Sequence, residues 1–136
     1  MKIAIDARIM FTSTGRYVHR LIEHLQEIDR RNQYIVLLRA EDFDKWQPAA
    51  PNFTKQIADY PPYTFGEQLG FWWQLRGLKA DLVHFTMPQH PLLYHRPFVL
   101  TIHDLTLVDF MNARSEGFIK NIYKQRIKPW TFNMVL

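Results

Sequence analysis

The chain has no cysteine. That excludes a disulfide scaffold, a zinc ribbon and a thiol nucleophile, and makes a reducing cytosol the expected setting. No apolar run approaches the ~18–20 residues that a membrane span requires. A signal peptide is not expected either, because Asp6 and Arg8 interrupt any apolar stretch at the start. Glycine is sparse, with five in 136 residues. The first strand-to-helix loop holds one, Gly15, so the G-x-G-x-x-G fingerprint is missing, and no Gly-Lys-Ser/Thr follows to make a P-loop.

What is present reads as one globular unit. Hydrophobic residues at 47% and charged residues at 22% exclude general disorder. A chain of 136 residues is one domain's worth, able to remove roughly two-thirds of its unfolded surface from water. The net charge of +4 is unevenly placed. Residues 1–109 balance, whereas 110–136 carry Arg114, Lys120, Lys124, Arg126 and Lys128 against Glu116 alone. A nucleic-acid-binding domain would recruit basic side chains from several elements, so that class is disfavoured. A local contact with an anionic surface, a phospholipid headgroup or an acidic partner, fits the distribution.

The pattern along the chain alternates between strand and helix. Lys2 to Asp6 is short, apolar and β-prone, as a buried strand would be. After the polar loop Thr12-Ser13-Thr14-Gly15, Tyr17, Val18, Leu21, Ile22 and Leu25 form one stripe of an amphipathic helix. Ser13 or Thr14 is its expected cap, and it ends near Asp29 to Asn32. Tyr34 to Leu38 is apolar on both faces, as parallel strands covered by helices are. Residues 41–52 read as a loop with one helical turn, 53–58 as a weak edge strand, and 66–78 as a helix whose Trp-rich face is assigned to the core. Strands follow at 81–85 and, most clearly, 98–102, and a basic helix is expected over 115–128. This order predicts an open, mostly parallel, Rossmann-like α/β sheet with helices on both faces. Ligands of such sheets bind at the carboxyl ends of the strands, so loops 7–16, 86–97 and 103–114 are the ones to watch. The apolar ending Thr131 to Leu136 leads us to expect a domain truncated at its C-terminal end.

Four constellations bear on chemistry. Gly15 and Arg16 open a helix, where free N–H groups and the helix dipole favour anions; a plain strand-to-helix turn fits equally well. His103 and Asp104 follow the clearest strand, where a histidine can donate, accept or act as a base, with a hydrogen-bonded turn as the even alternative. His84, His90 and His95 have no zinc spacing and are expected to face solvent from loops; no metal is expected. The helix at 115–128 fits a membrane-surface helix and, more commonly, a core-covering helix with a solvated basic face.

With these residues in view, the chain resembles the N-terminal half of a family 4 glycosyltransferase, a retaining family of the GT-B fold. The resemblance rests on Met1 to Arg8, Gly15-Arg16-Tyr17-Val18, Leu82-Val83-His84-Phe85 and Pro97 to Leu105, in this order. It implies that residues 1–136 form the acceptor-side domain of an enzyme that transfers a sugar from a nucleotide-sugar to a glycan or lipid-linked acceptor. It also implies that the C-terminal nucleotide-binding domain lies outside the sequence. Gly15 and Arg16 would face the donor phosphates, His103 the transferred sugar, and Asp104 the substrate beside it, without a metal or other cofactor. The family's loop commonly has an earlier glycine where Ser13 or Thr14 stands. On this reading the fragment alone is inactive, and the enzyme is cytoplasmic, with peripheral contact at the inner face of an anionic membrane through 115–128. The alternative is a non-catalytic α/β binding module docked through that basic helix. A dinucleotide-binding dehydrogenase domain, with Glu41 placed for a ribose, fails for want of the glycine fingerprint.

Overall fold

A computed structural model describes residues 1–61 and 64–103. Two compact units are distinguished, Met1–Thr101 and Ile102–Leu136, so the described residues are the first unit, less 62 and 63, and Ile102 and His103 of the second. Asp104, the expected helix at 115–128 and the apolar ending lie outside the described residues.

The first unit is a five-stranded sheet of β1 (Lys2–Asp6), β2 (Gln33–Leu38), β3 (Phe53–Ile57), β4 (Leu82–Phe85) and β5 (Phe98–Leu100). The order is β3-β2-β1-β4-β5 and every pairing is parallel. The expected α/β class is therefore present, and the sheet is wholly parallel in these residues.

Strand periodicity explains the two-sided core, because successive side chains point to opposite faces. Ile5, Tyr34, Val36 and Leu38 pack with Val18 and Ile22 of helix α1 (Arg16–Ile28), together with Trp46 and Ala50 from the segment after the 3-10 helix Ala40–Lys45. Ala4, Ile35, Leu37, Val83 and Phe85 pack on the other face, against Phe71, Leu75 and Leu78. These come from a π-helical turn, Glu67–Phe71, that runs directly into α2, Trp72–Leu78. One helix per face buries both sides of β1 and β2, which is why those strands read as continuous apolar runs.

Three local expectations are corrected. Helix α1 takes Gly15, not Ser13 or Thr14, as its cap, and no side chain caps it. The Thr14 hydroxyl instead lies 3.3 Å from that of Thr12, which donates to the Ile9 carbonyl at 2.7 Å. Strand β5 ends at Leu100 instead of residue 102, because it pairs only with β4, whose register ends at Phe85 opposite Leu100. The Trp-rich face is not all core. Phe71 is fully buried, Trp72 half-buried and Trp73 exposed, since three consecutive helical residues fan over ~200° and cannot share one side.

The turn from α1 to β2 is held by Asp29. Its carboxylate accepts hydrogen bonds from the Arg31 and Asn32 amides, Asn32 Nδ2 and the Tyr34 hydroxyl, at 2.6–3.1 Å. The Tyr34 hydroxyl leads the causes that hold this carboxyl well below its ordinary range. Burial, then the hydrogen bond to Asp29, pushes the Tyr34 phenol up to about 12.

Gly15 is required for space. Its φ of −68° is open to any residue, but a Cβ there would stand 2.0 Å from the Ile9 carbonyl oxygen and 2.2 Å from that of Met10. Overpacking of this kind costs about 1–3 kcal/mol, and rigid backbone as the obstacle puts this case at the upper end. Gly15→Ala is expected to lower the urea midpoint accordingly. An unchanged midpoint would show that the 9–15 turn is looser than described.

Candidate functional site

The sheet order reverses beside β1: β2 and β3 lie to one side, β4 and β5 to the other. The carboxyl ends of β1 and β4 thus flank the switch point where ligands of open α/β sheets bind. Three sets of residues meet this edge in the first unit.

The first is a buried ion network. Asp6 ends β1, and Arg8 folds back on it with Nε and Nη2 donating to the two carboxylate oxygens, both at 2.8 Å. Nη2 also stands 2.9 Å from Glu67 Oε1, and Nη1 donates to the Tyr60 carbonyl at 2.9 Å. The guanidinium carbon lies 4.0 Å over the Phe71 ring. Asp6 and Glu67 are wholly buried and Arg8 nearly so. Burial works to lower the Arg8 pKa, but hydrogen bonds and charge from Asp6 and Glu67 outweigh it, and the net direction is up. Gln89 Nε2 donates to the other Glu67 oxygen. The π-helical turn brings Glu67 and Phe71 together under Arg8, and Gly70 makes room for it, because a Cβ there would meet the Tyr60 ring at 2.5 Å. π-turns inside helices recur at functional sites.

The second set is a polar chain from β4 through the residue that follows β5 to α1. His84 Nε2 lies 2.8 Å from Thr101 Oγ1, which in turn donates to the Tyr17 hydroxyl at 3.5 Å, the long limit of a hydrogen bond. If Thr101 donates onward, His84 must carry a hydrogen on Nε2 and donate from it. Burial holds the His84 pKa below its ordinary 6.5, with Asp6 acting in the opposite direction. Alongside, Thr86 Oγ1 donates to the Asp6 carbonyl at 2.6 Å and ties the ends of β4 and β1 together.

The third set lies at the start of α1. Arg16, His19, Arg20 and Glu23 line an open depression of about 420 Å³ with Met10, Phe11 and Thr12 of the preceding loop. Glu23 engages Arg20 at 3.1 Å and His19 at 3.4 Å. No ion pair among the described residues engages Arg16.

The structure therefore brings Gly15 and Arg16 together on the carboxyl side of β1. The closeness that Gly15 permits is with the chain's own Ile9 and Met10 carbonyls. His103 is exposed and belongs to the second unit, two positions beyond Thr101; Asp104 lies outside the described residues. The histidines differ from expectation. His84 is a strand residue, half-buried, and His90 is buried with its ring 5.1 Å from both Phe85 and Phe98. The aromatic cluster around Phe85 draws His90 inward, and His95 is the one left in solvent. Among the described residues no three His, Asp or Glu side chains are grouped to hold a metal ion. Sequence reasoning assigned no role to Asp6, Arg8, Glu67 or Thr101. The signal it had was the Asp-x-Arg spacing at the end of the first strand.

A scan of protein-family models finds no match to the chain, and searches of curated proteins and of solved structures find none.

Two predictions follow from this edge. Removing one partner of a buried ion pair costs about 3–5 kcal/mol because the other charge is stranded. Arg8→Met should show that loss by urea denaturation, and adding Glu67→Gln should recover part of it. A neutral Arg8→Met would mean that water reaches the network. The second concerns acid. His84 and His90 are both held below their ordinary 6.5, in each case chiefly by burial. The unfolded chain therefore takes up protons first. Their contribution to stability is complete above about pH 6.5 and is lost as pH falls through that value toward the folded-state pKa values. The urea midpoint should fall between pH 7.5 and 5.5, and His90→Phe should flatten the decline; equal slopes would remove His90 from the account.

Proposed function

We propose that the chain is the acceptor-side, N-terminal half of a retaining glycosyltransferase of family 4, acting on a nucleotide-sugar donor and a glycan or lipid-linked acceptor. The observation that carries the reading is Arg16. It opens α1 beside the loop that leaves β1, lines an open depression, and has no ion-pair partner among the described residues. An arginine at a helix start is suited to a diphosphate, since its planar fork adds to the helix's own N–H groups and dipole. Backbone donors and a cation there would stabilise charge as it builds on the leaving diphosphate.

On this reading Gly15 sets the loop's path, Arg16 meets the donor phosphates, and His103 holds the transferred sugar and shapes the approach of the acceptor hydroxyl. Asp104 would orient that turn or touch the substrate. The nucleotide would be held by a second domain outside this sequence, and no metal or other cofactor is invoked. The buried Asp6–Arg8–Glu67 network is then a support that fixes the loop after β1, and the His84–Thr101–Tyr17 chain stiffens the same edge. Work at the cytoplasmic face of a membrane belongs to the same proposal. What bears on it is narrower: no described helix is long and apolar enough to cross a bilayer.

The test uses the natural gene product. Its mass by immunoblot should be at least about twice that of one such domain, and Arg16→Ala should reduce sugar transfer about 10–100-fold, the scale of a lost charge-assisted hydrogen bond. His103→Ala should reduce transfer with the unfolding midpoint unchanged. Detectable transfer by the 136-residue chain alone would refute the division of labour. Full activity of both variants would refute the site.

A further inference from the structure

We infer that the outward face of the 67–78 helical segment is a docking surface for an anionic phospholipid bilayer, independently of any transferase reading. The segment is apolar on two opposite sides. Glu67, Phe71, Leu75 and Leu78 face inward and are buried. Leu69 and Trp73 face out, with Phe65 two residues before the segment continuing the same four-residue spacing; they are 58%, 71% and 88% exposed. Leu93, 52% exposed, extends the patch, because its carbonyl accepts a hydrogen bond from Trp72 Nε1 at 2.8 Å and the Trp72 and Trp73 rings are 5.9 Å apart.

Charge identifies the occupant. Across 64–80 and 87–97 the exposed charged side chains are Arg76, Lys79 and Arg96, all cationic; the one acid there, Glu67, is buried against Arg8. No ion pair among the described residues engages those three cations. The nearest exposed acids in sequence are already committed, Asp59 beside Arg39 at 3.9 Å and Asp81 to the Lys2 amide at 2.7 Å. The Arg76 guanidinium lies 5.0 Å over the Trp72 ring, so cation and aromatic are held together. Protruding Phe, Leu and Trp beside unpaired Arg and Lys match the chemistry of a bilayer interface: rings and aliphatic tips enter the headgroup–acyl boundary while cations meet lipid phosphates. An acidic protein would satisfy the cations but gives no reason for three apolar side chains to project in a row.

The experiment is vesicle co-sedimentation of the 136-residue chain with phosphatidylcholine alone and with phosphatidylcholine and phosphatidylserine in equal parts. Binding is expected to the mixed vesicles at low salt and to fall at high salt. Phe65→Ser/Trp73→Ser should lower the partition coefficient at least about tenfold, and Arg76→Gln or Arg96→Gln about fivefold each. The absence of cysteine allows a Leu69→Cys variant to carry a single environment-sensitive fluorophore, whose emission should shift to the blue on the mixed vesicles. Retained binding by Phe65→Ser/Trp73→Ser would overturn the proposal. So would binding lost only in Lys120→Gln/Lys124→Gln/Lys128→Gln, which would assign the contact to the basic C-terminal stretch. A lipid-free dimer that Trp73→Ser dissolves, with no vesicle binding, would assign the face to a second copy and overturn it too.

Discussion

Arg8 is a permanent cation placed inside the molecule, and much of the described architecture can be traced to what it needs. A buried guanidinium is tolerated only when its charge and its donors are met. Asp6 supplies one carboxylate from the end of β1, Glu67 another from the π-helical turn, Tyr60 a carbonyl and Phe71 a ring face. Those partners come from two stretches that are far apart in sequence, the end of β1 and residues 60–71. Meeting them sets the direction of the chain leaving β1, the seat of the 67–78 segment on the sheet, and the course of the connection between β3 and that segment. Such a network contributes little net stability compared with an apolar substitute, but it tolerates few alternative arrangements. Its position at the switch point makes it a device for holding an edge in one shape.

The two helical faces of the sheet are built differently. Helix α1 has a conventional division, with Val18, Ile22 and Gln26 buried and charged residues outward. Even its buried polar residue is satisfied, since Gln26 Oε1 accepts from the Ala49 and Ala50 amides. The 67–78 segment has no such division. Its inner side carries a carboxylate to Arg8 and its outer side carries aromatic and aliphatic groups into solvent. A single helix thus serves the buried network and an unpartnered surface at once.

The strand pattern was legible because it rests on local periodicity. Lys2–Asp6 and Tyr34–Leu38 are apolar in ways that a covered parallel sheet demands, and helix α1 between them carries the 3.6-residue stripe. Errors fell where non-local facts decide. The end of β5 depends on where β4 runs out, which no property of residues 101 and 102 reveals. His90 sits in a loop with three prolines and reads as a solvent residue until Phe85 and Phe98 are placed around it. Asp6, Arg8 and Glu67 carry no role in the sequence reading, because burial of three ionised groups makes sense only once they are seen to meet. Gly15 and Arg16 are read as a pair from the strand-to-helix junction, where a plain turn fits equally well, and from the resemblance. The role of that junction in chemistry rests on the proposal and not on the pattern.

β1 is the middle of the five described strands and the earliest of them in the chain, so it leaves the ribosome before the other four. β1 pairs with β2 on one side and β4 on the other, so the described sheet grows outward in two directions from its earliest strand. Once residues 1–57 have emerged, β1, β2 and β3 can associate and Asp6 already has Arg8 beside it. The opposite edge of β1 then still waits for β4, and Arg8 for Glu67. During that interval the nascent chain offers an unpaired parallel edge next to an uncovered apolar face, the kind of template on which other strands add. Translation speed between Ala58 and Phe85 therefore sets how long the half-built sheet is exposed to its neighbours in the cell.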